Sequence, residues 1–451
     1  MRVNLRCNAT QSGGGRWLRL LGSRFRSGVV LANGLASASF CWLLFGCSTT
    51  VDSLGYDLYV APRALQPVDC KSGVYPNAFK EILGKTDSEI QLKLSNAFAT
   101  LFYGNTAMQR IYFTGTTAGT SYIYDTYHGD IRTEGMGLGM MAALMLGKQD
   151  EFDAMWRYAS TVEERKSGPG SGYFDSFCNS PSNVPYSCVD PFGLEQFITA
   201  LILATKRWPA DTTRPDYGAE ALRLLTVMGS KIADNGGIVG GVTNSFDARE
   251  KLLYDDPTNG GMHYLRTGLA IPAYYELWAQ VTGDTFYADA AVRGRSFLMT
   301  SPHPKTGLYP MAANFDGSPY DGLEDFAAAS YRVHLNFLID RHWGSLTGAA
   351  ANWQVPIVDK MLKFFTSKGL TTYFASYTLD GRAVPINTNV HGVELTMANG
   401  VIASIATVAN AKDFIQAAWD QQPPEGNARY YAGLFYLIGN LMLSGQYRLC
   451  P

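Results

Sequence analysis

Two kinds of apolar pattern alternate along the chain. In the first, apolar and small residues run unbroken for two or three turns, as over residues 136–146, 197–204, 401–408 and 432–443. A helix apolar on every side must be buried on every side. In the second, apolar positions recur at helical spacing on one face, as over 151–160 and 358–368. Thr86 and Glu89 form a capping box ahead of Ile90, Leu94, Ala97 and Leu101. Further helices are predicted to start near Thr133, Gln149, Gly193, Asp216, Gly268, Asp284, Asp325, Trp353, Gly392, Lys412 and Asn427. That makes about a dozen helices. Convincing strands are few, with short β pieces expected over 231–255 and 371–385.

A weak echo opens several amphipathic members: Glu151-Phe152-Asp153-Ala154, Thr285-Phe286-Tyr287-Ala288 and Asp413-Phe414-Ile415-Gln416-Ala417. Repeated hairpins of one buried and one half-exposed helix predict an all-α fold, a closed double ring or (α/α) toroid. A superhelical solenoid is the competitor, but it would show a clearer period and polar end caps.

Composition narrows the partners. Charged residues are 17% of 451, below the roughly 25% of an ordinary soluble domain. With 37 basic and 39 acidic residues the net charge is -2, which gives no field for nucleic acid or an anionic membrane surface. Aromatics at 13% suit sugar stacking, although core packing uses the same residues.

The N-terminus reads as an address. Arg16, Arg19, Arg24 and Arg26 precede an apolar run over 29–45, the pattern of a secretory signal. The run is too short and too rich in Gly, Ser and Asn for a membrane span. Leu44-Phe45-Gly46-Cys47 resembles a bacterial lipobox, in which Cys47 is acylated and becomes the mature first residue. The expected organisation is a leader over 1–47, a tether over 48–75 and one domain over 76–451. The protein is then exported to the periplasm or cell surface, reaches the membrane only through its lipid, and is a monomer. Of seven cysteines, Cys7 and Cys41 leave with the leader. Cys178 and Cys188 bracket a Pro/Ser/Asn loop and are expected to pair, which leaves Cys70 with Cys450. No close C-x-x-C or His cluster suggests a metal, and no Gly-rich phosphate loop suggests a nucleotide, so no cofactor is expected. His128, His263, His334 and His391 are scattered, without metal-ligand or triad spacing.

One carboxylate stands in an unusual setting. Glu134, in Asp130-Ile131-Arg132-Thr133-Glu134-Gly135-Met136-Gly137-Leu138-Gly139, opens an otherwise apolar helix, and the glycines admit close neighbours. A carboxyl at the mouth of an apolar pocket is held towards its protonated form, as a general acid needs. A glutamate in a first turn also serves the helix dipole.

The Arg-Thr-Glu-Gly-Met run, followed by Phe152-Asp153 and Trp156, resembles glycoside hydrolase family 8, closest to its reducing-end xylose-releasing exo-oligoxylanase branch. The resemblance extends from Asn77 to Leu449. It is carried also by Leu101-Phe102-Tyr103-Gly104, Gly172-Tyr173-Phe174, Arg207-Trp208 and Pro272-Ala273-Tyr274-Tyr275-Glu276-Leu277-Trp278. Further on it runs through His303-Pro304-Lys305-Thr306-Gly307-Leu308, Asp316-Gly317-Ser318-Pro319, Ser330-Tyr331-Arg332-Val333, Asp380-Gly381, Ala428-Arg429-Tyr430-Tyr431 and Leu443-Ser444-Gly445. It implies an (α/α)6 barrel and an inverting hydrolase of β-1,4 linkages in xylan, cellulose, mixed-linkage glucan or chitosan. Glu134 would be the proton donor.

Three positions depart from the family. Its water-activating Asp precedes the Ser-Tyr-Arg run, where this chain has Ala329. Its Asp that contacts the distorted sugar falls on Phe192, with Asp190 two residues earlier. Ser176 stands where the oligoxylanase branch carries a stacking Trp. Losing a general base costs about two to four decades of rate, so a replacement is required. Asp325 lies one helical turn before Ala329, which would bring it within roughly 5–6 Å at the Cβ level. Glu324 and Asp321 are more distant candidates, and Asp190 serves if its loop shifts register. Arg132 and Arg332 are expected to orient the acid and hold sugar hydroxyls. Tyr173, Phe174, Tyr331 and Tyr430 are expected to line subsites, although aromatics fill cores more often.

The expectation is an exported inverting glycosidase acting on β-1,4-linked oligosaccharides, xylo-oligosaccharides first. A glycan-binding lipoprotein that has lost hydrolysis, or a polysaccharide lyase on the same toroid, are the alternatives.

Overall fold

A computed structural model describes residues 64–70, 75–179, 189–384 and 391–451. The leader, Cys47, Cys188 and the side chain of Cys178 lie outside the described residues.

Thirteen α-helices stand among the described residues: α1 Ala78–Glu81, α2 Asp87–Tyr103, α3 Thr133–Met145, α4 Gln149–Tyr158, α5 Pro191–Arg207, α6 Tyr217–Asp234 and α7 Pro272–Thr282, then α8 Thr285–Thr300, α9 Tyr331–Trp343, α10 Val355–Lys368, α11 Val393–Ala403, α12 Ala411–Asp420 and α13 Arg429–Leu443. The odd members from α3 onward form the inner wall. Helix α3 packs on α5, α5 on α7, α7 on α9, α9 on α11, α11 on α13, and α13 returns to α3. That closure makes an (α/α)6 toroid and excludes the solenoid. The even members lie outside it, α4 against α3, α6 against α5, α8 against α7, α10 and α12 against α11, and α2 against α13.

Sequence pattern explains which helix goes where. Twelve of the thirteen residues of α3 are buried, and Glu134 is the exception. Outer helices such as α12 bury only one stripe, here Phe414, Ile415 and Ala418. The Thr86 capping box is present, with Thr86 and Glu89 bonded in both directions. Asp190, Asp216 and Asp284 cap α5, α6 and α8. At the base of the fold Cys70 is disulfide-bonded to Cys450, with Cα atoms 5.7 Å apart, so the described chain ends are tied together.

Two expectations are corrected. Helix α9 does not reach back to Asp325: it starts at Tyr331, after a 3-10 turn over Ala328–Ser330. Phe326 instead bridges Tyr377, with backbone bonds in both directions, and this tertiary pairing overrides the helix preference of the alanine run. The β structure also lies elsewhere. A four-stranded antiparallel sheet runs β1 Tyr112–Thr114, β2 Ser121–Asp125, β3 Asp130–Arg132, β4 Phe177–Asn179, and a second pair joins β5 Tyr264–Arg266 to β6 Ala312–Asn314. Over 231–255 and 371–385 the β structure among the described residues is limited to isolated bridges, and 231–234 belong to α6. Strands of three residues carry too little alternation to read, and β2 is buried on both faces.

Candidate functional site

Strand β3 is paired on both sides, with β2 and β4, and leads directly into α3. The chain leaves the sheet at Arg132, with extended φ -125° and ψ 137°, and Glu134 falls in the first helical turn. Gly135 is what lets α13 approach. A Cβ there would sit 2.5 Å from the Tyr430 ring, so only glycine admits that ring against the helix start. The Tyr430 hydroxyl then donates to Glu134 Oε1 at 3.2 Å.

The other oxygen faces α9. Arg332 Nη2 donates to Glu134 Oε2 in an ion pair, with side chains 9% and 12% exposed. The guanidinium lies 4.3 Å over the Phe192 ring centroid and 6.0 Å from that of Tyr431. Gly268 makes room for it, since a Cβ there would fall 2.6 Å from Arg332 Cβ. First turns of α3, α5, α9 and α13 therefore converge on one carboxylate at one mouth of the toroid. Burial pushes the Tyr431 hydroxyl up to about 12 despite Arg332 beside it, so Tyr431 stays a neutral donor, and it bonds the Ala328 carbonyl at 2.8 Å.

Arg132 is tied to the hairpin ahead of α3. Its Nε and Nη2 bond Asp130 at 2.8 and 3.1 Å, and Nε meets Asp125 at 3.0 Å, so it braces the hairpin in front of α3. Asp190 caps α5 by accepting from Phe192 N at 3.0 Å. Burial pushes its carboxyl up, Arg266 and Arg132 pull it down, and Asp255 adds repulsion. Those neighbours put it on the same face of the toroid as Glu134. Asp325 is on the loop before the 3-10 turn, where burial and Glu324 raise its carboxyl, and its backbone carbonyl accepts from Met311 N. The shared helical face that made it a base candidate does not exist. Asp321 and Glu324 are exposed on that loop.

All four predicted subsite aromatics are buried in the core. Tyr173 is fully buried and donates to the Thr243 carbonyl at 2.8 Å. Phe174 packs between Trp156 and Phe197. Tyr331 is buried and bonds the Ala375 carbonyl. Tyr430, equally buried, is the one of these four whose hydroxyl bonds Glu134.

Sequence reasoning missed Glu394. It lies in the first turn of α11, which packs against both α9 and α13. The Cβ position on Gly392 lies 2.4 Å from Glu394 Oε2, so the carboxylate folds back over the helix start. Burial pushes it up, and it in turn raises Tyr331 and Tyr431. The signal was the one that singled out Glu134, an acid opening an otherwise apolar helix.

Among the described residues no group of three His, Cys, Asp or Glu side chains is placed to hold a metal. No described helix is long and apolar enough to cross a membrane.

No family model matches the chain. Individual proteins do. The chain is 30% identical over 387 residues to the reducing-end xylose-releasing exo-oligoxylanase Rex8A of Paenibacillus barcinonensis, covering 84% of this chain and 97% of that one. It is 31% identical over 384 residues to the reducing end xylose-releasing exo-oligoxylanase of Halalkalibacterium halodurans, covering 83% and 94%. A crystal structure of a xylobiose complex from Teredinibacter turnerae superposes with TM-score 0.76 at 30% identity, over 84% of this chain and 98% of that one.

Proposed function

The chain belongs to glycoside hydrolase family 8, and on that premise we propose that it trims β-1,4-linked xylo-oligosaccharides with inversion at the anomeric carbon. Two relatives named above release xylose from reducing ends, and a third structure holds xylobiose, which supports xylose units as the substrate. One observation carries the reading: Glu134 is the sole residue of α3 left open, and it is gripped from α9 and α13 at the toroid mouth.

In the reaction, Glu134 gives its proton to the glycosidic oxygen as the bond to the anomeric carbon breaks. Tyr430 steadies the carboxyl through Oε1, and Arg332 stabilises the carboxylate left behind. Water attacks the opposite face and must lose a proton to a second carboxylate. Ala329 and Phe192 offer none, and Asp325 is off the helix. We assign the base to Glu394. Its helix packs on α9, next to the turn that carries Ala329, and its carboxylate acts on Tyr431, whose hydroxyl bonds Ala328. Asp190 is committed to capping α5.

The test is incubation with a panel of xylo-, cello- and chito-oligosaccharides followed by mass spectrometry, with Glu134→Gln, Glu394→Gln and Asp190→Asn alongside. Products one water heavier, and a loss of about two to four decades in Glu134→Gln and Glu394→Gln, are expected. Products with an unsaturated end make the protein a lyase, and intact oligomers make it a binder. A full rate in Glu394→Gln with a collapsed rate in Asp190→Asn moves the base to Asp190.

We further infer export as a lipoprotein acylated at Cys47 from the basic and apolar leader and the lipobox-like Leu44-Phe45-Gly46-Cys47, and we propose separately that the mature protein is a monomer. Membrane fractionation of Cys47→Ala, expected in the soluble fraction, and light scattering of the mature protein test these two points.

A further inference from the structure

Tyr127 is the most exposed large apolar side chain among the described residues, at 69%. An exposed aromatic ring on its own means little. Here the ring stands on a turn that is fixed from several directions. Asp125, buried to 1%, accepts from Tyr127 N at 3.0 Å and His128 N at 3.1 Å through Oδ1. Its Oδ2 holds His128 Nδ1 at 2.6 Å and Arg132 Nε at 3.0 Å. The His128 ring supports the Tyr127 ring edge-on, with centroids 4.8 Å apart. Gly129, at φ +78°, closes the turn in a conformation that suits glycine. From the other side, Thr126 Oγ1 donates to the Asn427 carbonyl at 2.9 Å.

Both anchors lead to the catalytic carboxylate. Arg132 is two residues before Glu134, and Asn427 is two residues before the first residue of α13, the helix that brings Tyr430 to Glu134 Oε1. The turn therefore stands on the face of the toroid where α3 and α13 begin. The three residues of β3, spanning about 10 Å, separate it from the acid. A ring held rigid and wet costs no ordering on binding, which is how an aromatic platform gains affinity. Beside it His128, half-exposed, and the Asp130–Arg132 pair offer hydrogen-bonding groups for hydroxyls.

We propose that the Tyr127–His128 turn is a sugar-binding platform beyond the catalytic subsites. It takes the apolar face of a pyranose in the same β-1,4-linked chain whose bond is cleaved at Glu134. The inference rests on the glycosidase reading and sets which substrates are long enough to gain from the platform.

The test is calorimetric titration of the full chain carrying Glu134→Gln, with xylohexaose and xylobiose as probes, against the same chain with Tyr127→Ala or Tyr127→Trp added. Because the ring is exposed, the thermal midpoints of the three proteins should agree. Tyr127→Ala is expected to weaken xylohexaose about tenfold, leave xylobiose unchanged, and be reversed by Tyr127→Trp. Equal xylohexaose affinity with and without the ring overturns the platform and leaves the glycosidase reading intact. Equal weakening of both probes also overturns it, since the ring would then act within the catalytic subsites. If the Glu134→Gln chain binds neither probe and the wild type cleaves neither, the substrate reading falls and the platform with it.

Discussion

Replacing Arg332 by Met isolates the interaction that holds the candidate acid. Methionine keeps much of the stem that packs against Gly268 but removes the charge. Glu134, 12% exposed with Arg332 in place, then keeps the Tyr430 hydroxyl as a hydrogen-bond partner but loses its guanidinium. Both members of the pair are far less than a third exposed, so solvent screening offers little relief. Removing one partner of such a pair costs about 3–5 kcal/mol, because the other is left as an uncompensated buried charge. The lost contact of the guanidinium with the Phe192 face adds about 0.5–2 kcal/mol. Adding Glu134→Gln should recover most of the first figure, since no charge is then stranded. Urea unfolding of the four proteins, followed by circular dichroism at neutral pH, closes a double-mutant cycle. The expected coupling is about 2–5 kcal/mol in magnitude, well above the roughly 0.5 kcal/mol scatter of independent sites. A destabilisation under 1 kcal/mol for Arg332→Met, or additive effects in the double variant, would refute the pairing on which the site is built.

Three further outcomes follow from the same contacts. Gly135→Ala puts a Cβ 2.5 Å from the Tyr430 ring, so it should cost about 1–3 kcal/mol and lower the rate, read by unfolding and turnover. Glu163 is fully buried, neither carboxylate oxygen has a hydrogen-bond partner in the structure, and burial followed by Asp175 pushes it up to about 8. Its folded pKa lies above the unfolded one, so its contribution to stability is complete below about pH 4.3 and is lost as pH rises through about 8. Thermal midpoints of Glu163→Gln should therefore fall less over that window than those of the wild type, and parallel curves would contradict this. If Glu394 is the base it must be ionised to work. Burial raises it, so the acid limb of kcat/KM should lie above the ordinary glutamate range, and Glu394→Gln should abolish that limb along with the rate.

How much of this was legible depends on where each signal is stored. The inner wall was readable because total burial leaves unbroken apolar runs, so α3, α11 and α13 stood out. Glu134 was readable as the single polar interruption of such a run. Its partners were not, because Arg332 and Tyr430 are about 200 and 300 positions away and meet it only when the ring closes. The start of α9 was misread because nothing local in Asp325-Phe326-Ala327-Ala328 reveals that Tyr377 will claim Phe326. Tyr173, Phe174 and Tyr331 show that a match to a site motif does not tell an aromatic facing the groove from one facing the layer behind it. Glu394 satisfies the criterion applied to Glu134, but it is 65 positions from Ala329, and only the packing of α11 on α9 brings their helices together.

The central claim is that Glu134 protonates the departing sugar while water enters from the opposite face. Proton NMR of the anomeric signals during the first minutes of xylo-oligosaccharide hydrolysis tests it most directly. The account predicts that α-anomer appears first and mutarotates afterwards, and that Glu134→Gln produces neither anomer at a measurable rate. First appearance of β-anomer, or unchanged production by Glu134→Gln, would contradict it.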